Sequence, residues 1–129
     1  MSQLFYDTLL CAFADRLKMA RLRLDKKGVC DLVVDNEIPL RLQQDARNQR
    51  LLLIALLGDV VNHNPQVLLE ANLNLIRGDN LIIIAADPSV KQFYACHAIE
   101  QSILTAELLL RKIAELVDYI RFWRNASQA

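Results

Sequence analysis

The stretch Gly28–Gln44, GVCDLVVDNEIPLRLQQ, decides the fold class. Apolar residues recur at every second position. Cys30, Leu32 and Val34 share one face of a first strand, and Ile38, Leu40 and Leu42 share one face of a second. Successive strand side chains point to opposite sides, so one sheet face enters a core while Pro39, Arg41 and Gln43 take the other. Asp35-Asn36 between the runs suits a tight hairpin, because both residue types tolerate positive φ. Strands joined this closely run antiparallel.

Further along, RLLLIALLG (50–58) is apolar on both faces and reads as an inner strand covered on both sides. NLIIIAAD (80–87) looks similar, and VKQFYACHA (90–98) reads as a weaker strand, placed at an edge. Three helices frame these strands. The first spans Ser2 to about Arg21, with Tyr6, Leu10, Phe13, Leu17 and Ala20 at helical spacing and Phe5 and Leu9 as a second stripe. The second starts at Asn64, a cap, and Pro65, which fits a first turn, and stops at Gly78 behind Arg77. The third covers about Ile103 to Asn125, with Leu109, Ile113, Leu116, Ile120 and Trp123 on its buried face. The order is helix, three strands, helix, two strands, helix. Blocks of strands with short connections predict an α+β fold, a mainly antiparallel sheet packed with helices, in one domain over 1–129.

The middle helix raises a question of coverage. Val67, Leu68, Leu69, Ala71, Leu73, Leu75 and Ile76 point nearly all the way round it. Apolar residues make up 53% of the chain, above the 45–50% or so of ordinary domains. Two long helices cover one sheet face and leave inner strands apolar on the other. The short middle helix can supply part of the missing cover and a second copy of the chain the remainder.

Little in the sequence points to chemistry. Fifteen basic and fifteen acidic residues cancel, so no global field attracts nucleic acid or an anionic membrane. Cys11, Cys30 and Cys96 are far apart and odd in number, which fits packed free thiols in a reducing cytoplasm. The start, MSQLFYDTLLCAFADRL, lacks a basic leader and carries Asp7 and Asp15, so no signal peptide is expected. The longest apolar run, Leu51–Leu57, is far short of the ~20 residues of a membrane helix, so no membrane insertion is expected. His63 and His97 sit in no metal-ligand pattern. Adjacent Cys96 and His97 would point to opposite strand faces, which disfavours a nucleophilic pair. Asp31 reads as an outward strand residue. No Gly-rich phosphate loop and no catalytic constellation is present, so neither catalytic, cofactor nor metal residues are assigned. The sharpest charge feature is RLKMARLRLDKK (16–27), with Arg16, Lys18, Arg21, Arg23, Lys26 and Lys27. It reads first as a solvated helix end. With Arg121 and Arg124 it also supports an alternative reading, a small nucleic-acid-binding domain.

Taken in order, LRLDKKGVCDLVVDNEIPLRL (22–42), LLLIALLGDV (51–60), LLEANLN (68–74) and the closing YIRFWRN (119–125) resemble the class I type III secretion chaperones, the Tir-chaperone (CesT-like) family. The resemblance spans nearly the whole chain. It implies a cytoplasmic bacterial homodimer without enzymatic activity or cofactor, which binds the N-terminal segment of one virulence effector in extended form. It implies too that the middle helix helps build the dimer interface; Val67, Leu68, Ala71 and Leu75 can face the partner and Leu69, Leu73 and Ile76 the sheet, though the sequence does not fix which stripe faces which side. Phe5, Leu9, Leu32 and Val34 are the expected effector contacts. Members are usually acidic, whereas this chain is neutral with a basic stretch.

Overall fold

The structure, a computed structural model, describes residues 2–59, 63–73 and 82–128. The elements run α1 (Ser2–Arg16), β1 (Val29–Val34), β2 (Ile38–Asp45), β3 (Arg50–Asp59), α2 (Pro65–Asn72), β4 (Ile83–Asp87), β5 (Gln92–Glu100) and α3 (Ala106–Gln128), with a 3-10 turn at Gln101–Ile103 before α3. The five strands form one sheet in the order β1-β2-β3-β5-β4, with every neighbouring pair antiparallel. The α+β reading and the element order hold.

The hairpin forms as its residues demand. Asp35 and Asn36 both take left-handed backbone, at φ 53° and 59°, and Glu37 N–H closes the turn on Val34 C=O at 3.1 Å. The alternation delivers Cys30, Ile38, Leu40, Leu42, Leu51, Leu53, Ala55 and Leu57 to one sheet face. Tyr6, Leu9, Leu10 and Phe13 of α1, and Leu109, Ile113, Leu116, Val117 and Ile120 of α3, close over it. At its far end α3 is tied to the sheet by Arg124, which donates to Leu56 C=O at 3.1 Å and to Leu57 C=O at 3.4 Å. Beside that tie, β3 slips register between Leu56 and Gly58. A Cβ on Gly58 would stand 2.4 Å from His63 Nε2, so a side chain there would have to displace the His63 ring.

Several expectations are corrected. α1 ends at Arg16 instead of running to about Arg21. Lys18 turns left-handed at φ 55°, with Met19 N–H on Ala14 C=O at 2.9 Å and Lys18 N–H on Asp15 C=O at 3.2 Å. Those two bonds satisfy the last helical carbonyls and turn the chain out of the helix. Leu17 and Ala20 therefore leave the buried stripe and are exposed. β5 is an inner strand between β3 and β4, and β4 is the edge, the reverse of the expected placement. Cys11 is exposed on α1 rather than packed, whereas Cys30 is buried.

α2 starts at its expected cap, with Asn64 Oδ1 accepting from Gln66 N–H at 2.9 Å. It packs beside β4. Leu68 enters the core at 2% exposure, while Leu69 stands 68% exposed and Leu73 points outward with it. The sheet-facing stripe is thus carried by Leu68, not by Leu69 and Leu73. Asn72 is the second anchor. Its Nδ2 donates to Ile84 C=O at 3.0 Å and its Oδ1 accepts from Ile84 N–H at 2.8 Å. One side-chain amide thus replaces a missing strand neighbour at the outer edge of β4. Leu75, Ile76, Arg77 and Gly78 lie outside the described residues.

His97 gives the core a pH dependence. It is buried on the core face of β5, and burial pushes its imidazole below the ordinary histidine pKa, with the Lys112 ammonium adding to the effect and Glu115 opposing it. An unfolded chain therefore takes up this proton more readily than the folded one. Stability should be flat above about pH 6.5 and fall as pH drops below it, by at most about 1.4 kcal/mol per pH unit from this one group. Urea midpoints between pH 7.5 and 5 check this, and a His97→Leu variant should flatten the slope.

Candidate functional site

The phase of hydrogen bonding along β1 sets up the site. Val33 lies opposite Pro39, which has no N–H to offer. Hydrogen-bonded and non-bonded pairs alternate along an antiparallel ladder, so Val29, Asp31 and Val33 direct their backbone groups away from β2. Two further contacts agree with that phase. Gln44 N–H bonds Gly28 C=O at 2.8 Å toward β2, while Asp25 N–H takes Val29 C=O at 2.8 Å on the outer side. Asp25 Oδ1 also accepts from Val29 N–H at 2.9 Å. The segment before β1 therefore closes the first outward rung. Among the described residues, Asp31 and Val33 have no outward backbone partner, so an open sheet edge remains there.

An apolar groove runs beside this edge. Its volume is about 370 Å³, and Phe13, Leu17, Met19, Leu32, Val34, Leu110, Ile113 and Val117 line it. The early stop of α1 creates it: Leu17 and Met19 leave the helix and face the groove instead of the core. Asp35, Asp118 and Arg121 line it too. Arg121 bonds the carboxylates of Asp35 and Glu37, which clasps the hairpin turn to α3. On the opposite side of the sheet, Asp31 and Arg41 pair across the strands at 2.8 Å. That bond holds the Asp31 carboxyl below the usual carboxylate range. Asp31 is outward, as expected.

The outer sheet face is a second concavity of about 630 Å³. Ile54, Leu56, Tyr94 and Cys96 form its floor and Ala85 and Ala86 its side. Burial pushes the Cys96 thiol up, which disfavours the thiolate that nucleophilic chemistry needs. His97 points to the other face, as the alternation required. His63 packs edge-on against Phe93. No group of three or more metal-ligating side chains occurs among the described residues.

The expected contact residues separate in space. Leu32 and Val34 line the groove. Leu9 is 6% exposed within the core, and half-buried Phe5 packs against that core; neither lines the groove. On α2, Val67 is exposed, Ala71 is half-buried and Leu68 belongs to the core. Sequence reading missed Leu17, Met19 and Val33 as groove residues. Only the position of the α1 stop, Lys18 in left-handed backbone, reveals the first two.

Comparisons with known proteins agree with this architecture. Residues 8–124 match the Tir chaperone protein (CesT) family. The chain is similar to a structure of the HopA1–SchA chaperone–effector complex, with 34% identity and a TM-score of 0.88 over 97% of each chain. It is similar to a structure of the ExsC–ExsE complex, with 25% identity and a TM-score of 0.87 over 95% of this chain and 93% of that one. It shares the fold of the Yersinia pestis type III secretion chaperone SycH, solved with a stable fragment of YscM2, at 16% identity and a TM-score of 0.72 over 92% of this chain and 98% of that one. No curated protein sequence matches.

Proposed function

Because the chain belongs to the Tir chaperone protein (CesT) family, we propose that it is a type III secretion chaperone that binds the N-terminal region of one cognate effector in extended form and keeps it stable and secretion-competent. The observation that carries this reading is the open β1 edge beside an apolar groove. A strand laid on Asp31 and Val33 gains backbone hydrogen bonds while alternate side chains enter pockets over Leu32 and Val34. Ordering a long segment costs roughly 1–2 kcal/mol per residue in backbone entropy, so both contributions are needed. The likeness to the HopA1–SchA complex, at 34% identity, supports the same partner class.

The working unit in this proposal is a homodimer in the bacterial cytoplasm, without catalysis, cofactor, metal or nucleotide. No described helix is long and apolar enough to cross a membrane. Val67 and Ala71, with Leu75, form the proposed dimer contact on α2, and Leu68 supports them from within the core. Leu32 and Val34 are the proposed effector contacts. Phe5 is a secondary contact, and Leu9 holds α1 in place behind it. The size and sequence also resemble the chaperone of the plant-pathogen effector AvrPphF, which makes that effector the first client to try.

Co-expression with the candidate effector tests the reading. A complex should survive gel filtration without ATP, and the effector's N-terminal segment should be protected from protease without gaining a globular fold. An effector that stays unbound, or whose release depends on hydrolysis by this chain alone, refutes it.

A further inference from the structure

The groove has a charged rim whose sign speaks to what it takes. Leu17 and Met19 face into the groove, so Lys18 lies between two of its lining residues. From there the chain runs to Asp25 outside any helix or strand. Leu22 and Leu24 pack against the core while Arg21 and Arg23 stand exposed. At its end, Asp25 ties this run to the start of β1, its N–H on Val29 C=O and its Oδ1 accepting from Val29 N–H. Arg16, Lys18, Arg21, Arg23, Lys26 and Lys27 are all exposed, and none has an ion-pair partner among the described residues. The other cations near the edge and groove are engaged: Arg41 with Asp31, and Arg121 with Asp35 and Glu37. Unmatched positive charge is therefore concentrated in the stretch that continues from the groove residues Leu17 and Met19 to the start of β1, where Asp25 is the one acidic residue, in a chain whose net charge is zero.

We infer that the segment seated in this groove is acidic, with apolar residues entering over Leu17, Met19, Leu32 and Val34 and carboxylates lying against the basic stretch Arg16 to Lys27. The inference rests on the chaperone reading and adds to it the chemistry of the client. Six unpaired cations on the stretch that adjoins the groove at Leu17 and Met19 favour carboxylates and disfavour like charge, and they speed encounter at low salt. Asp118, on the groove lining and without an ion-pair partner among the described residues, keeps client carboxylates on the Arg16–Lys27 side. A protein segment is favoured over nucleic acid because the cations adjoin an apolar groove and an open strand edge, and a duplex uses neither.

The test uses short labelled peptides with identical leucine and valine positions and with glutamate, glutamine or lysine between them. Fluorescence anisotropy should show the glutamate peptide binding about tenfold tighter than the glutamine peptide at low ionic strength, with the lysine peptide weakest. That preference should vanish at high salt and in the variant Arg21→Glu/Arg23→Glu/Lys26→Glu, whose circular dichroism should match the parent. All three positions are exposed, so the fold does not depend on them. Equal binding of the glutamate and glutamine peptides, indifference to the charge reversal, no peptide binding at all, or tighter capture of a DNA duplex than of the glutamate peptide would each overturn the inference. The co-expressed effector separates the two levels. A complex that forms but ignores the charge reversal sinks the acidic client and leaves the chaperone. An effector that never binds the parent chain sinks the chaperone itself.

Discussion

Replacing Val33 with proline should leave the fold in place and weaken client binding by roughly 10- to 100-fold, the equivalent of about 1.5–3 kcal/mol. The reason is the phase of the β1 ladder. Val33 stands opposite Pro39, so its N–H points outward and gives β2 nothing. Proline removes that donor and puts a ring where the added strand must lie. Edge strands tolerate proline at such positions, and the preceding Leu32 is already extended, as a residue before proline prefers. The Val33 side chain is 56% exposed, so losing it removes little packing. Calorimetry with the co-purified effector segment reads the affinity, and thermal melts check the fold. Leu32→Pro is the contrasting control. By the same phase its N–H belongs to the β2 ladder, and its loss should destabilise the hairpin by about 3 kcal/mol or more. Parent-like affinity in Val33→Pro would show that the client is not added at β1. The opposite sheet edge makes the choice of β1 specific, because Asn72 already holds both outward groups of Ile84.

That phase is legible in the sequence once the register is known, but the register is not itself written in one strand. The alternation of Cys30, Leu32 and Val34 against Ile38, Leu40 and Leu42 predicts the hairpin, and Asp35-Asn36 predicts its turn, because both are local properties. The Asn64 cap is local too. The order of the last two strands is not. Ile82, Ile83 and Ile84 look more buried than the stretch around Tyr94, yet β4 is the edge, because α2 and the Asn72 amide lie beside it. The groove was hidden for a related reason. Leu17 continues the helical spacing of Tyr6, Leu10 and Phe13, and periodicity alone keeps it in α1. The helix ends one residue earlier because Lys18 adopts a left-handed backbone that glycine would have announced and lysine does not.

The double variant Val67→Asp/Leu69→Asp should convert a dimer at micromolar concentration into a folded monomer. Val67 and Leu69 lie exposed on α2, Leu73 follows them just past the helix, and Ile83 is exposed on the adjoining β4. So much apolar surface on neighbouring elements is unusual for a lone soluble protein and typical of a contact with another chain. A carboxylate placed there loses most of its water on association and finds its own symmetry mate nearby, so each interface meets the penalty more than once. The helix itself should survive, because both positions are exposed and Val67 falls in its first turn, where negative charge suits the dipole. The neighbouring residue gives the opposite phenotype. Leu68 is buried against the sheet side, and Leu68→Ala should cost about 2–5 kcal/mol of stability whatever the oligomeric state. Light scattering and urea denaturation on the two variants separate the outward positions from the inward one. If the parent chain scatters as a stable monomer at micromolar concentration, the α2 surface serves something other than a second copy, and the double variant should then change neither mass nor fold.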